Sequence, residues 1–167
     1  MRVLGVDPGL ATTGIAVVER SGGKLRPLLI GTLQTPPRRP QADRLALLWK
    51  QMTEVIAAHD PEVVAIERLF FNSNVKTAMA VGQASGVALA AAAQAGLEVH
   101  EYTPPEVKQS VAGVGSASKL QVQTMVAALL SLREIPKPPD AADACALAIC
   151  HLNRSGLAAA LQRQVAR

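Results

Sequence analysis

The sequence predicts an α/β fold in which a mixed five-stranded sheet is flanked by helices. Residues 1–35 contain three apolar segments separated by short turns, a pattern that is typical of antiparallel strands. From residue 41 onward, segments with helical periodicity alternate with two further short apolar runs. Antiparallel strands followed by alternating helices and strands give a mixed sheet with helices on its faces.

Turn residues divide the N-terminal part of the chain into its strands. We predict a first strand over Arg2–Asp7, ended by Pro8-Gly9, and a second strand over Gly14–Glu19. The Gly22-Gly23 turn leads to a third strand over Leu25–Thr35. The proline-rich segment that follows cannot continue this strand, because proline lacks the backbone N–H that a sheet requires.

Helices and strands alternate over the rest of the chain. The predicted helices cover Gln41–His59, Val75–Gln94, a short segment from Pro104, Ala117–Leu132 and Pro139–Asn153, and the remaining strands cover Glu62–Glu67 and Leu97–Tyr102. The 167 residues suit one domain. We assign residues 1–155 to it and predict that residues 156–167, which include two arginines and no acid, form a loose basic tail.

Composition restricts the class of protein. Lys and Arg total 17 against 13 Asp and Glu, and the resulting charge of +4 is compatible with nucleic-acid binding without establishing it. Cys145 and Cys150 are five residues apart and face different sides of one predicted helix, so we expect buried, reduced thiols rather than a disulfide or a zinc site. Reduced thiols and a strand-like start with no signal peptide indicate a cytoplasmic protein.

The stretch Thr77–Leu97 carries no charge and is long enough to cross a bilayer. It consists mostly of Ala and Gly and is interrupted by Gln83, Ser85 and Gln94. We therefore expect a closely packed helix and no membrane span. The three histidines, His59, His100 and His151, show no spacing that suggests a shared site.

Four carboxylates stand where strands end or a helix starts. Asp7 ends the first strand, Glu67 ends the fourth, and Asp140 and Asp143 open the last helix. Each has an ordinary explanation by itself, as a turn residue, a solvated strand end or acids at a helix N-terminus. Together they can converge at one edge of the sheet, where their repulsion calls for a hard divalent metal. The pattern thus indicates a metal-dependent enzyme that acts on phosphates.

Several motifs resemble the RuvC family of Holliday junction resolvases, within the RNase H-like superfamily. They are Val-Asp-Pro-Gly-x-x-x-Thr-Gly at 6–14, Ile-Glu at 66–67, Val-Gly-Gln-Ala at 81–84, Val-Lys-Gln at 107–109, Gly-Val-Gly-Ser at 113–116 and Asp-Ala-Ala-Asp-Ala at 140–144. The resemblance covers residues 2–153, nearly the whole chain, and does not include the basic tail. It implies an RNase H-like fold for the nuclease domain.

The resemblance also implies an activity: symmetric paired nicking of four-way DNA junctions, in recombination and DNA repair. Asp7, Glu67, Asp140 and Asp143 match the four acidic metal ligands of the family. Two Mg²⁺ ions per active site are therefore expected, with Mn²⁺ as a substitute, and hydrolysis would follow the two-metal route. Some relatives carry a histidine in place of the first acid of the last helix, so Asp140 implies an all-carboxylate site here.

An aromatic pair, Phe70-Phe71, follows the Glu67 motif in a polar loop. Phe70 matches the family position that stacks on, or wedges between, bases near the junction centre. The alternative is that Phe70 packs as a hydrophobic staple on the following helix. No role transfers to Phe71.

Basic residues complete the expected DNA contacts. Lys108 and Lys119 match family positions near the scissile phosphate, where each is expected to contact phosphate or to stabilise charge in the transition state. Arg68 and Lys76 flank the aromatic loop and are expected to contact the DNA backbone. All four also fit ordinary solvated positions.

The two-fold symmetry of a four-way junction calls for two active sites related by a C₂ axis, so a homodimer is expected. The small-residue helix Val75–Gln94 is the candidate interface, because Gly82 and Gly86 allow close approach. A branch-migration motor complex is expected as a further partner from the family alone.

Three other readings remain open. Kinases of the actin and sugar-kinase superfamily begin in a similar way but need two such domains, and this chain holds one. A junction-binding module without catalysis would not need four acids near DNA phosphates. An RNase H-type nuclease that acts on RNA differs from the favoured interpretation only in its substrate.

Overall fold

The structure, a computed structural model, describes residues 1–68 and 75–165. Its strands are β1 (Arg2–Asp7), β2 (Thr12–Ser21), β3 (Lys24–Gln34), β4 (Val63–Glu67) and β5 (Glu98–Tyr102). Its helices are α1 (Gln41–His59), α2 (Val75–Gln94), α3 (Pro104–Ala112), α4 (Lys119–Leu129) and α5 (Pro139–Val165). The strands form one five-stranded sheet in the order β3-β2-β1-β4-β5, which confirms the predicted α/β class.

The sheet is mixed in direction. Strands β1, β2 and β3 pair antiparallel, whereas β4 and β5 continue the sheet parallel to β1. Val6 lies opposite Ile66 in the parallel pair of β1 and β4. Because parallel strands end at the same edge of a sheet, the next residue of each strand, Asp7 and Glu67, is delivered to one place.

Helices cover both faces of the sheet, so the central strands are apolar on both sides. Leu4 and Val6 belong to a core with α1 and α2, and Val3 belongs to a second core with α3, α4 and α5. Cys145 and Cys150 lie buried and unpaired in this second core, as predicted. None of the helices in the described ranges combines the length and apolar character that a bilayer crossing requires.

Helix α5 lies unusually close to the sheet at two glycines. A Cβ atom on Gly14 would stand 2.0 Å from the carbonyl oxygen of Asp140, and one on Gly5 would stand 2.0 Å from the carbonyl oxygen of Ala144. Any side chain at either position would overlap helix backbone, which cannot rotate away. The two glycines therefore set the distance between the sheet and the helix turn that carries Asp140 and Asp143.

The later part of α5 is fixed by side-chain hydrogen bonds. Arg20 of β2 donates to the carbonyl oxygen of Leu152 at 2.7 Å and to Oδ1 of Asn153 at 2.6 Å. Asn153 in turn donates from Nδ2 to the carbonyl oxygen of Ser110 in α3, at 3.2 Å. Glycine contacts at one end and these bonds farther along fix the register of α5 on the sheet.

The prediction of a loose tail after residue 155 is wrong, because α5 continues to Val165. Residues 157–165 are rich in Ala, Leu, Gln and Arg, which are strong helix formers, and a single Gly156 costs a helix only about 1 kcal/mol. The separation of residues 156–167 from the domain stays a prediction. Helix α4 begins at Lys119, two residues later than predicted, because Ser118 caps it by accepting a hydrogen bond from the Gln121 N–H.

Replacing Gly14 by alanine is expected to lower the free energy of unfolding by about 1–3 kcal/mol or more, since the new methyl group would meet helix backbone. It should also reduce nuclease activity in the fraction that folds, because α5 carries two of the acids. Chemical denaturation and a cleavage assay check both effects. Gly31→Ala is the matched control, because nothing lies within 4 Å of a Cβ at Gly31. Equal stability of the two variants would contradict the close-approach argument.

Candidate active site

Asp7 occupies the end of β1 at the point where the chain turns into β2. The turn is closed by Thr13, whose hydroxyl donates to the carbonyl oxygen of Gly9 at 2.6 Å and accepts from the Gly9 N–H at 3.4 Å. Leu10, inside the same turn, is buried in the core. The Asp7 carboxylate is thus held by an ordered turn above a fully apolar strand.

Glu67 ends β4 beside Asp7, because Val6 and Ile66, the residues before them, lie opposite each other in the sheet. The chain beyond Glu67 is held in place because the Arg68 N–H donates to the carbonyl oxygen of Tyr102 at 2.8 Å. Two carboxylates held side by side repel each other unless a proton or a cation lies between them.

Asp140 and Asp143 come from α5, in its first turns. Their spacing of three residues puts them on one side of the helix. The carboxylate of Asp143 is paired with Lys119, whose Nζ lies 2.6 Å from Asp143 Oδ2. The side chain of Lys119, the first residue of α4, is 61% exposed, so this pair faces solvent rather than the core.

Burial and charge repulsion together raise the pKa values of two acids at the site. Burial, reinforced by the charges of Glu67, Asp143 and Asp140, raises the pKa of Asp7 to about 7. Burial also raises the pKa of Glu67, and the charge of Asp143 adds to the shift. The pKa of Lys119 is raised in turn, first by its hydrogen bond to Asp143. The four predicted acids therefore interact with one another across chain separations of up to 136 residues, between Asp7 and Asp143.

An open cavity of about 260 Å³ lies over these groups. Asp7, Glu67, Asp143, Lys108 and Lys119 supply its charged lining, and the remaining lining residues are Pro104, Val107, Val122, Ala146 and Leu147. Acids that converge with two lysines in an open cavity fit a phosphate-bearing substrate and a metal.

Lys108 reaches this cavity because of how α3 begins. Thr103 caps α3 by accepting a hydrogen bond from the Glu106 N–H, and Glu106 accepts one from the Thr103 N–H at 2.9 Å. This capping box fixes the start of the helix directly after β5. The predicted lysines thus come to the acids from two different helices.

Asp140 lines a second groove, beside the turn that follows Asp7, rather than the first cavity. Within residues 1–68 and 75–165, no three His, Cys, Asp or Glu side chains already form a ready-made metal-binding group. The acids are close enough to shift each other's pKa, but Asp143 is engaged by Lys119. The structure thus brings all four predicted acids to one region without closing them into a cage.

Part of the predicted DNA contact region is not described. Phe70 and Phe71 lie outside the described residues, and so does the side chain of Lys76. Arg68 is described: its Nε is 3.8 Å from Glu101 Oε2, and its side chain is about half exposed. Arg68 therefore stands at the rim of the site, beside the start of the aromatic loop.

A buried polar pair beneath the site was not predicted. The Tyr102 hydroxyl lies 2.8 Å from His151 Nδ1, joining β5 to α5. Burial lowers the pKa of His151 to about 4, helped by the nearby His100, so His151 is neutral at pH 7. The two residues are 49 positions apart, and no spacing in the sequence signals their contact.

Comparisons with known proteins agree with this geometry. The family model described as crossover junction endodeoxyribonuclease RuvC matches residues 3–151. The RuvC crossover junction endodeoxyribonuclease of Halothermothrix orenii is 54% identical over 153 residues, which cover 92% of this chain and 93% of that relative. The corresponding enzyme of Chloroflexus aggregans is 54% identical over 151 residues, covering 90% and 92% of the two chains.

Solved structures give the same result. Thermus thermophilus RuvC matches with a TM-score of 0.87 and 38% identity, covering 95% of this chain and 97% of that one. The same protein in complex with a Holliday junction substrate matches with a TM-score of 0.86 and 36% identity, covering 94% and 96%. The yeast mitochondrial resolvase Ydc2, at 14% identity and a TM-score of 0.67, shares the fold. A family match across nearly the whole chain, together with the acids at the ends of β1 and β4 and the start of α5, shows that the chain belongs to the RuvC family of crossover junction endodeoxyribonucleases.

Proposed function

We propose that this chain resolves four-way DNA junctions by hydrolysing one phosphodiester bond in each of two opposed strands, in recombination and DNA repair. The observation that carries the proposal is the acid cluster around Asp7, whose pKa is raised to about 7 by burial and by three neighbouring carboxylates. Membership of the family and the Holliday junction bound to the Thermus thermophilus relative support the choice of substrate.

The donor set fits a divalent metal. All four candidate ligands are carboxylates, which are the oxygen donors that Mg²⁺ and Mn²⁺ prefer. A cluster in which burial and repulsion raise the pKa of Asp7 and Glu67 is short of positive charge. Asp7, Glu67, Asp140 and Asp143 would hold two Mg²⁺ ions, which supply activation of the attacking water and neutralisation of the leaving 3′ oxygen.

Protein side chains position the acids and bind the scissile phosphate. Asp7 is fixed by its turn and Glu67 by the strand pairing, so both present their oxygens without reorganisation. Lys119, which pairs with Asp143 in the free protein, would bind a phosphate oxygen, and Lys108, which lines the same cavity, would bind phosphate as well. The two lysines thereby hold the scissile phosphate over the acids.

The aromatic loop and its flanks hold the junction centre in this proposal. Phe70 stacks on bases there, while Arg68 and Lys76 contact the backbone. Arg68 has the exposure that such a contact needs.

A homodimer would present two active sites to the two opposed strands. Helix α2 supports this arrangement: nothing lies within 4 Å of a Cβ at Gly82 or Gly86, and Met79 beside them is 61% exposed. That surface is open in the single chain and suits close approach of a second copy. A branch-migration motor complex and a cytoplasmic location complete the proposal.

Cleavage should require both the junction and the metal. With Mg²⁺, a synthetic four-way junction is expected to receive paired nicks in opposed strands, and EDTA is expected to abolish them. A linear duplex of the same sequence and an RNA–DNA hybrid are the comparison substrates, and mapping of the cut positions is the measurement. Equal cutting of the hybrid would indicate an RNase H-type nuclease, and binding without cutting would indicate a junction-binding module.

Asp7→Asn should reduce the cleavage rate by about 10²–10³-fold or more, because it removes charge from the centre of the metal site. Junction affinity measured without metal should be unchanged or tighter, since the variant repels DNA phosphates less. Glu54→Gln, a change at an exposed acid of α1, is the control for general effects of lost charge. Full activity of the Asp7 variant would refute the metal-site assignment.

The metal-free protein should lose the stability that the Asp7 proton contributes as pH rises from about 4 to about 7. Its folded state keeps the Asp7 proton up to about pH 7, whereas the unfolded chain releases it near 3.8. The full shift corresponds to at most about 4 kcal/mol. The Asp7→Asn variant has no carboxyl group at this position and avoids this loss. Its free energy of unfolding, relative to that of the wild-type chain, should therefore increase from about pH 4 to about pH 7.

Denaturation in EDTA at pH 4, 5.5, 7 and 8 measures this difference. Added Mg²⁺ should then stabilise the wild-type chain more than the variant at pH 8. If the difference in free energy of unfolding between the two proteins does not change with pH, Asp7 does not have the raised pKa on which the metal-site argument depends.

A further inference from the structure

A second groove of about 510 Å³ lies beside the turn that follows Asp7, and it shares no lining residue with the cavity that holds the two lysines. It is lined by the turn Gly9–Thr12, by Arg44 of α1, by the first turns of α2 and by Asp140. Asp143 lines the first cavity and Asp140 lines this groove, so the start of α5 forms the wall between them. One continuous strand can therefore cross the acids and enter a depression on each side.

Arg44 is the cation of this groove, and it is held from one edge. Its Nε donates to Thr35 Oγ1 at 2.9 Å, and the Thr35 hydroxyl donates to the carbonyl oxygen of Leu10 at 2.5 Å. The Thr35 N–H also donates to the carbonyl oxygen of Ala11, at 3.2 Å. Arg44 is thereby tied to the same turn that holds Asp7.

The rest of the Arg44 guanidinium has no such partner. In the described ranges, neither of its Nη atoms donates a hydrogen bond to a protein group, and no Asp or Glu forms an ion pair with it. The segments 69–74 and 166–167 contain no Asp or Glu either. One of five N–H donors is used by Thr35, which leaves a planar fork of donors at the groove.

We propose that Arg44 binds a backbone phosphate of the cleaved strand, on the side of the acids opposite Lys108 and Lys119. The strand then has a cationic contact on each side of the scissile phosphate, and its position over the acids is fixed from both directions. This inference rests on the proposed function, because it assigns a second DNA contact to the same site.

The chemistry of the groove favours a phosphate as the ligand. Arginine matches two phosphate oxygens with parallel N–H bonds, and threonine hydroxyls are frequent second partners of DNA phosphates. Thr12 lines the groove on the turn side. A contact of this kind carries no base specificity, so it orients the strand without choosing its sequence.

Phosphate neutralisation tests the assignment. Junctions that carry a single methylphosphonate at successive positions around the cut site are assayed for binding without metal and for single-turnover cleavage with Mg²⁺. For the wild-type chain, neutralising the phosphate that Arg44 binds should weaken binding about tenfold. Arg44→Gln should weaken binding of native DNA by about the same factor and should be insensitive to neutralisation at that one position.

The dependence on salt gives a second readout that a purely structural role would not move. The slope of log Kd against log salt concentration should become shallower by about 1 in Arg44→Gln. Arg44→Lys should retain the slope, because it keeps the charge while losing the bond to Thr35. Arg26→Gln, an exposed arginine at the opposite end of the sheet, should leave the slope and the interference pattern unchanged at the cut site.

The possible outcomes distinguish a failure of the proposed function from a failure of the Arg44 assignment. If wild-type protein neither binds nor cuts junctions, the proposed function fails. If wild type cuts junctions but Arg44→Gln shows the same salt slope and the same interference pattern, only the Arg44 assignment fails. If Arg44 serves only to hold Thr35, the Lys and Gln variants should bind junctions equally weakly. Their salt slope and their interference pattern should then match those of the wild type, and this result would also overturn the assignment.

Discussion

The contact between α5 and the sheet is made backbone to backbone, and the rest of the site depends on it. Two residues without side chains, Gly5 and Gly14, leave room for the carbonyl oxygens of Asp140 and Ala144. The approach brings a helix that carries two acids against strands that deliver the other two. Without this close approach, Asp7 and Glu67 would be two strand-end carboxylates in water, without the two further acids that α5 supplies.

The same approach works against stability. Four carboxylates are gathered where burial and mutual repulsion raise the pKa of Asp7 and Glu67, and the Lys119 ion pair offsets part of the charge. Active sites commonly store unfavourable interactions that the remainder of the fold supports. Here the support comes from two apolar cores, one on each face of the sheet, and from the polar Tyr102–His151 pair beneath the acids.

Much of this arrangement follows from local sequence patterns. Helix α1 spans the predicted residues Gln41–His59, because its apolar period is clear and prolines lie close to both ends, at Pro40 and Pro61. The positions of Asp7 and Glu67 follow from apolar runs that stop at a carboxylate, and the order of elements is enough to place both at one sheet edge. The assignment of metal ligands and phosphate contacts depends on the family resemblance. The structure adds that these acids and lysines lie close together.

Long-range side-chain contacts could not be predicted in the same way. The Lys119–Asp143 ion pair joins two helices, and the Tyr102–His151 bond joins a strand to a helix; neither has a spacing or a motif that signals it. Arg44 sits in an amphipathic helix where a charged residue is expected for solubility alone. The full length of α5 differs from the prediction because Gly156 resembles the start of a tail, although the residues after it favour helix.

The fixed register of α5 has a consequence for how the chain can vary in length. Residues 144–152 lie between the glycine contacts at one end and the Arg20 hydrogen bonds at the other. Each residue of an α-helix turns its successor by about 100°, so inserting or deleting one residue here would swing the acids away from the strand ends or break the Arg20 contacts. This stretch therefore cannot change in length, whereas the turn at Gly22-Gly23, with open space around both glycines, can lengthen freely.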